Sequence, residues 1–141
     1  MERRQTMIIE GNYFKSGKFW VASIPAVDTS TQSLRRNALS EMILDLLSSL
    51  CDQKVEAEIS FEKNGKFTIE TQSGDMLFPL VLKRQREKNG FSQREAAENL
   101  GYRSVNAYSA YEQGQRRPSL AKADELLRAV GGKRRLRLAI G

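Results

Sequence analysis

The chain has 141 residues, 40% of them hydrophobic, with a formal net charge of +6, one cysteine and no histidine. That length suits one domain or two small ones, and the apolar fraction suffices for an ordinary core. The missing histidine excludes Ser-His and Cys-His nucleophilic catalysis and histidine-ligated metals, and the lone Cys51 can neither close an intrachain disulfide nor build a zinc site.

The opening "MERRQTMIIEGNY" is basic but has no apolar stretch behind it, so it does not predict a secretory signal. No apolar run approaches the roughly 18 residues of a membrane span. A cytoplasmic protein without membrane contact is expected. Charge is unevenly placed: residues 1–76 hold nine Lys/Arg against eleven Asp/Glu and residues 77–141 hold fourteen against six, so the net charge divides as −2 and +8. One half is expected to meet a polyanion and the other is not.

Residues 6–14 (TMIIEGNYF) and 18–24 (KFWVASI) are rich in β-branched and aromatic types and predict two strands joined at Lys15-Ser16-Gly17. Pro25 has no N–H for a ladder and ends the second. "AVDTSTQ" predicts a short third strand. Residues 34–50 (LRRNALSEMILDLLSSL) predict a helix. Leu34, Ala38, Leu39, Met42, Ile43, Leu46, Leu47 and Leu50 share one face, and Arg35, Arg36, Asn37, Glu41 and Asp45 the other. Ser33 is its expected N-cap. Cys51 ends the stripe and is expected to be a buried small hydrophobe. Residues 55–62 and 66–72 alternate polar and apolar around Asn64-Gly65, which predicts a type I′ hairpin turn. The fold class is α+β: a small antiparallel sheet with one helix over 1–73, then an all-α unit over 74–141.

The break falls at "TQSGDM", residues 71–76. Residues 77–88 predict a helix with Leu77, Phe78, Leu80 and Val81 on its apolar face and a basic end, "KRQREK", closed by Asn89-Gly90. "FSQREAAENLG" carries Ser92 as N-cap with Glu95 three residues on, a capping box, and Gly101 closes it. A third helix spans about 104–112, and Gly114 ends it. Pro118-Ser119 opens a fourth, "SLAKADELLRAV", stopped by Gly131-Gly132. In "KRRLRLAIG", Leu136, Leu138 and Ile140 alternate with Arg135, Arg137 and Ala139, a short strand pattern suited to pairing across a dimer.

Helix, short turn, helix with a glycine between is the layout of a helix-turn-helix, whose second helix enters the DNA major groove. Ala96 and Ala97 let two helices approach, and Leu100, Tyr108 and Tyr111 are expected in the core. Ser-Gln, Ala-Ala, Leu-Gly, Tyr-x-x-Tyr-Glu-x-Gly and Pro-Ser stand in register. Residues 77–131 thereby resemble the phage-repressor-like, Xre or Cro/C1, helix-turn-helix family. The turn after Gly101 is one residue longer than that family's usual one. The resemblance implies DNA contacts from Ser92, Gln93, Arg103, Ser104, Asn106, Ala107, Ser109 and Ala110. Asn106 suits bidentate pairing with adenine, and an alanine methyl suits the thymine methyl. Arg116 and Arg117 follow the third helix, where phosphates are expected. An RNA-binding alternative lacks an aromatic sheet motif or a glycine clamp.

The front half, "GKFWVASIPAVDTSTQSLRRNALSEMILDLLSSL", has an aromatic strand ending at Pro25, a Thr31-Gln32-Ser33 turn and a long helix. It resembles the antitoxin domain of HicB-type proteins. Ser33 stands where that family often has glycine, and the early Glu-Ala pair of its helix is missing. The resemblance implies a partial ribonuclease-H-like fold that masks a HicA-type toxin ribonuclease. Catalysis by this chain is not expected: Glu10, Asp28, Glu56, Glu58 and Glu70 fall in no recognisable metal motif, so neither a metal nor a cofactor is implied. The expected function is an antitoxin that neutralises a HicA-type toxin and, as a homodimer or higher oligomer, represses its own operon at a palindromic operator. The alternative is a stand-alone repressor whose front domain senses a small ligand.

Overall fold

The strand-forming residues of the first half pair into one antiparallel sheet. The computed structural model describes residues 6–131. Five strands, β1 (Met7–Ser16), β2 (Phe19–Ile24), β3 (Thr29–Ser33), β4 (Glu58–Phe61) and β5 (Lys66–Thr71), take the order β3-β2-β1-β5-β4. Helix α1 (Leu39–Cys51) covers one face. Its Leu39, Ile43 and Leu47, four apart, are fully buried, as are Ala22, Ile24, Phe67 and Ile69 of the sheet. Four-residue spacing on a helix and two-residue spacing on a strand bring these into one apolar layer.

That layer depends on a close approach. Gly11 is the register partner of Phe67, and the Phe67 ring lies across it. A Cβ on Gly11 would stand 2.2 Å from Phe67 Cζ. Beside it, Tyr13 packs edge-on to Phe61 at 5.1 Å. The Tyr13 hydroxyl donates to the Glu62 carbonyl and accepts from Arg36 Nη2 at 3.1 Å.

Local chemistry shifts several expected boundaries. Ser16 pairs with Phe19, so the first turn is Gly17-Lys18, not Lys15-Ser16-Gly17. Gly17 at φ +60° suits the first corner of a two-residue turn. The second hairpin lacks a type I′ turn. Its loop is Lys63-Asn64-Gly65, with Gly65 at φ +82° and Asn64 Oδ1 accepting from the Lys66 N–H. Only the third loop residue is left-handed, as in a three-residue hairpin loop with a bulge. Ser33 does not cap α1: it pairs with Trp20 as the last residue of β3, and its hydroxyl accepts from the Arg35 N–H at 3.2 Å. The ladder holds the chain extended there, so α1 begins only after a 3-10 turn at Arg36–Ala38. Leu34, placed on the apolar stripe by its spacing, is therefore 63% exposed. Cys51 is half-buried with Sγ 3.9 Å from the Met76 carbonyl oxygen, and burial pushes its thiol up, away from reactivity.

The chain divides into two compact units, 1–77 and 78–141. The expected boundary after residue 73 is where helix α2 (Gly74–Lys88) begins, and the division falls inside that helix. The second unit continues with α3 (Gln93–Asn99), α4 (Val105–Glu112) and α5 (Leu120–Ala129). Ser92, Ser104 and Ser119 each cap a helix with the side-chain oxygen, and Ser92 with Glu95 completes the capping box. Ala96, Ala97, Tyr108, Tyr111, Leu126 and Val130 are buried, while Leu100 is only half-buried. The strand expected in "KRRLRLAIG" lies outside the described residues. Among the described residues no helix is long and apolar enough to cross a membrane.

A buried ion pair ties this unit together. Arg86 of α2 meets Glu112 of α4 through Nε–Oε2 at 2.7 Å and Nη2–Oε1 at 3.1 Å, with side chains 13% and 3% exposed. Arg86 Nη1 also donates to the Phe91 carbonyl at 2.9 Å, and Gln93 Nε2 donates to Glu112 Oε1 at 3.3 Å. The fork geometry fits a guanidinium to a carboxylate. The Glu112 hydrogen bond holds Arg86 above its ordinary arginine pKa.

Both contacts can be tested by stability. Glu112→Gln leaves Arg86 buried without its counter-charge and is expected to cost about 3 kcal/mol in urea unfolding followed by circular dichroism. Replacing both partners by apolar residues, R86M/E112L, is expected to recover most of that loss. Gly11→Ala forces the Phe67 ring to move and is expected to cost about 1–3 kcal/mol in the same measurement. An unchanged midpoint in either single variant contradicts the corresponding contact.

Candidate nucleic-acid interface

The α3–turn–α4 segment is built from caps at both ends. At the end of α3 the Tyr102 N–H bonds the Ala97 carbonyl and the Gly101 N–H bonds that of Glu98, both at 2.9 Å. That is the Schellman arrangement, and Gly101 supplies its left-handed residue at φ +75°. The chain then runs through Tyr102 and Arg103 to Ser104, whose Oγ accepts from the Asn106 N–H at 3.1 Å. Val105 is thus the first residue of α4.

The phase of α4 follows from what it buries. Tyr108 is fully buried and Tyr111 nearly so, three residues apart. Glu112, next along, turns into the ion pair with Arg86. The Tyr108 hydroxyl ends in the same interior without a hydrogen bond of ordinary geometry; burial first, and then the Glu112 carboxylate, push its pKa up. The opposite face carries Asn106, Ser109, Ala110 and Gln113, at i, i+3, i+4 and i+7. Asn106 and Gln113 are exposed, and Ser109 and Ala110 are half-buried between them. Ala107 lies about 100° round the helix from Asn106, on the flank.

The other expected residues fall around this face in different states. Arg103 and Ser104 are exposed at its start. Ser92 is exposed at the start of α3, with its Oγ accepting the Glu95 N–H. Gln93 is half-buried, and its amide is bonded to Glu112, so it joins the ion-pair network as well as the helix start. After α4 the chain folds back: the Gln115 N–H bonds the Ala110 carbonyl at 2.9 Å, and the Arg116 guanidinium lies 5.2 Å from the Tyr111 ring centre. That stacking leaves the exposed Arg116 held in place beside the end of the helix. Arg117 is exposed next to it.

Two further cations of this unit are matched by carboxylates. Lys122 pairs with Glu125 at 2.8 Å and Arg128 with Asp124 at 2.9 Å, both exposed contacts of adjacent helical turns. Two residues escape the sequence expectation. Gln113, one heptad after Asn106, shares its face, and that spacing is the signal for it. Arg86, buried within the basic run "KRQREK", has no local signal, because its partner is 26 residues away.

The geometry is that of two short helices joined by a tight glycine turn, the second presenting a small polar face. Among the described residues no three His, Cys, Asp or Glu side chains are grouped to hold a metal ion. Residues 82–135 match the family described as Helix-turn-helix. No curated protein matches the chain. The second unit is therefore an Xre-type helix-turn-helix domain, and it makes the chain a regulator of transcription that binds double-stranded DNA.

Proposed function

We propose that the chain is an autoregulating antitoxin of the HicB type. Its second unit binds operator DNA, and its first unit binds and neutralises a HicA-type ribonuclease toxin. The observation that carries the DNA half is the outward face of α4, where Asn106, Ser109, Ala110 and Gln113 stand clear of the core beside Arg103 and Arg116. In this reading α4 enters the major groove, Asn106 reads a base edge, and Arg103, Arg116 and Arg117 contact phosphate. Ser92 and Ser104, at the two helix starts, position the backbone on phosphate, and Ala107 faces the groove wall. Gln93 and Glu112 orient α4. A homodimer places two such helices about one DNA turn apart, on two half-sites.

The antitoxin half rests on the resemblance of residues 17–50 and on the order of the units. Its layout supports the reading: an aromatic strand ended by Pro25, a short strand, then a helix lying on the sheet. The first unit does no chemistry in this reading, and the protein works in the cytoplasm. A ligand-sensing repressor would need an enclosed hollow. The hollows beside Arg35, Arg36, Asn37, Ser40 and Phe61, and beside Glu56, Glu58, Glu70 and Gln72, are open and lined mainly by exposed side chains, so no specific observation favours that alternative.

Operator binding tests the first half. Asn106→Ala is expected to relax discrimination at one operator position by about 1–3 kcal/mol. Arg116→Ala is expected to weaken binding to all sequences and reduce the salt slope by about 1. Wild-type discrimination by the Asn106→Ala protein contradicts the helix phase. The second half is tested by co-expression with the neighbouring reading frame: a small basic protein, toxic alone, is expected to co-purify and lose its toxicity. A neighbour that is neither toxic nor bound rules the antitoxin reading out.

A further inference from the structure

The sheet of the first unit has a second face, away from α1. The strand register fixes its members. Glu58 is the partner of Glu70, and Glu70 is also the partner of Ile8. Glu10 follows on the same face of β1, and Phe14, further along, is the partner of Val21. Ile8 is 46% exposed and Phe14 49%, although both are large and apolar. Glu10, Glu58 and Glu70 are exposed, and so is Lys66, the partner of Asn12, so three carboxylates share this face with one cation.

Two features of this face point to a partner. Large apolar side chains exposed on one sheet face form the kind of patch that binds a partner. Glu58 directly opposite Glu70 places like charges across a strand pair, which destabilises a sheet. A cationic partner relieves that repulsion. Nucleic acid does not suit the face, because it would bring further negative charge. A second copy of this chain suits it less, because it brings a second face on which carboxylates outnumber the one cation, Lys66. Nor, among the described residues, are the carboxylates grouped to hold a metal ion.

We propose that the open face of this sheet, with Ile8, Phe14 and Val21 as its apolar anchors and Glu10, Glu58 and Glu70 as its charge, is the docking surface for a basic protein. This rests on the antitoxin reading, and the basic protein is the toxin of that reading. The carboxylates steer and orient the partner, and the apolar residues supply the buried contact.

The test is calorimetric titration of the purified basic product of the neighbouring reading frame into full-length protein. E58K/E70K is expected to weaken binding by about tenfold or more, and the wild-type interaction to weaken as salt rises. Phe14→Ala is expected to weaken it by about tenfold. Glu70→Gln supplies a sign that a structural role would not give: it removes the like-charge pair, so the unfolding midpoint rises or holds while partner affinity falls. The far-UV circular-dichroism spectrum of every variant is expected to match wild type, which confirms that the sheet folds. If the wild type binds the partner and these variants bind it equally well, the docking face is wrong while the antitoxin reading stands. If the wild type does not bind, both fall. A change in the mass of E58K/E70K in solution, with partner affinity unchanged, identifies a second copy as the occupant and also overturns the proposal.

Discussion

A carboxylate that is 3% exposed must find a cation, and Glu112 finds Arg86. The rest of the second unit is arranged around that requirement. Glu112 directly follows Tyr111, so the rotation of α4 that buries Tyr108 and Tyr111 also turns the carboxylate inward. A shift of one residue along α4 would rotate its faces by about 100°. Glu112 would then leave its guanidinium, and a buried charge would lose its match at a cost of several kcal/mol. The ion pair therefore selects one phase of the helix. With the inner face settled, Asn106, Ser109, Ala110 and Gln113 point outward by elimination. The residues of the outward face are set by those of the inner one.

The first unit shows the same logic with a steric constraint in place of an electrostatic one. Only a residue without Cβ at position 11 lets the Phe67 ring cross β1, and that ring fills the layer under α1. A one-residue slip of β1 against β5 would place Glu10 or Asn12 under the ring and turn Ile8 inward. Register is therefore strongly specified on the core face. The other face inherits its residues from that register but has no packing role. Charge and apolar exposure there are left open to other uses.

Much of this is legible in the sequence, and the misreadings share one cause. The second unit's helices follow from local chemistry: Ser92 with Glu95, Gly101, Ser104 and Pro118-Ser119 are all signals that act within a few residues. The strands follow from their two-residue alternation. What misleads depends on distant partners. Ser33 looks like a cap because serine before an apolar stripe favours one, but its pairing with Trp20 keeps the backbone extended. Asn64-Gly65 suits a two-residue turn, yet the bond from the Glu62 N–H to the Lys66 carbonyl closes a three-residue loop. Arg86 reads as one cation in a basic run because Glu112 lies far along the chain. Most of the outward face of α4 is anticipated by the family resemblance, and only its last member, Gln113, lies beyond the expected set.

The division of charge has a consequence for both surfaces. Residues 1–76 carry −2 and residues 77–141 carry +8. Long-range fields act before any side chain makes contact. The second unit draws in phosphate, while the carboxylates of Glu58 and Glu70 repel it, so the duplex approaches the helices and not the sheet. A cationic protein experiences the reverse. The DNA-binding unit and the proposed docking face thus differ in the sign of their charge, and no residue proposed for one surface is needed by the other. Geometry is then left with finer distinctions. In the proposed reading, helix α4 tells one base sequence from another, and the sheet face tells one basic protein from another. In that reading shape makes the distinction, through the small face of Asn106, Ser109 and Ala110 in one unit and the exposed Ile8 and Phe14 in the other.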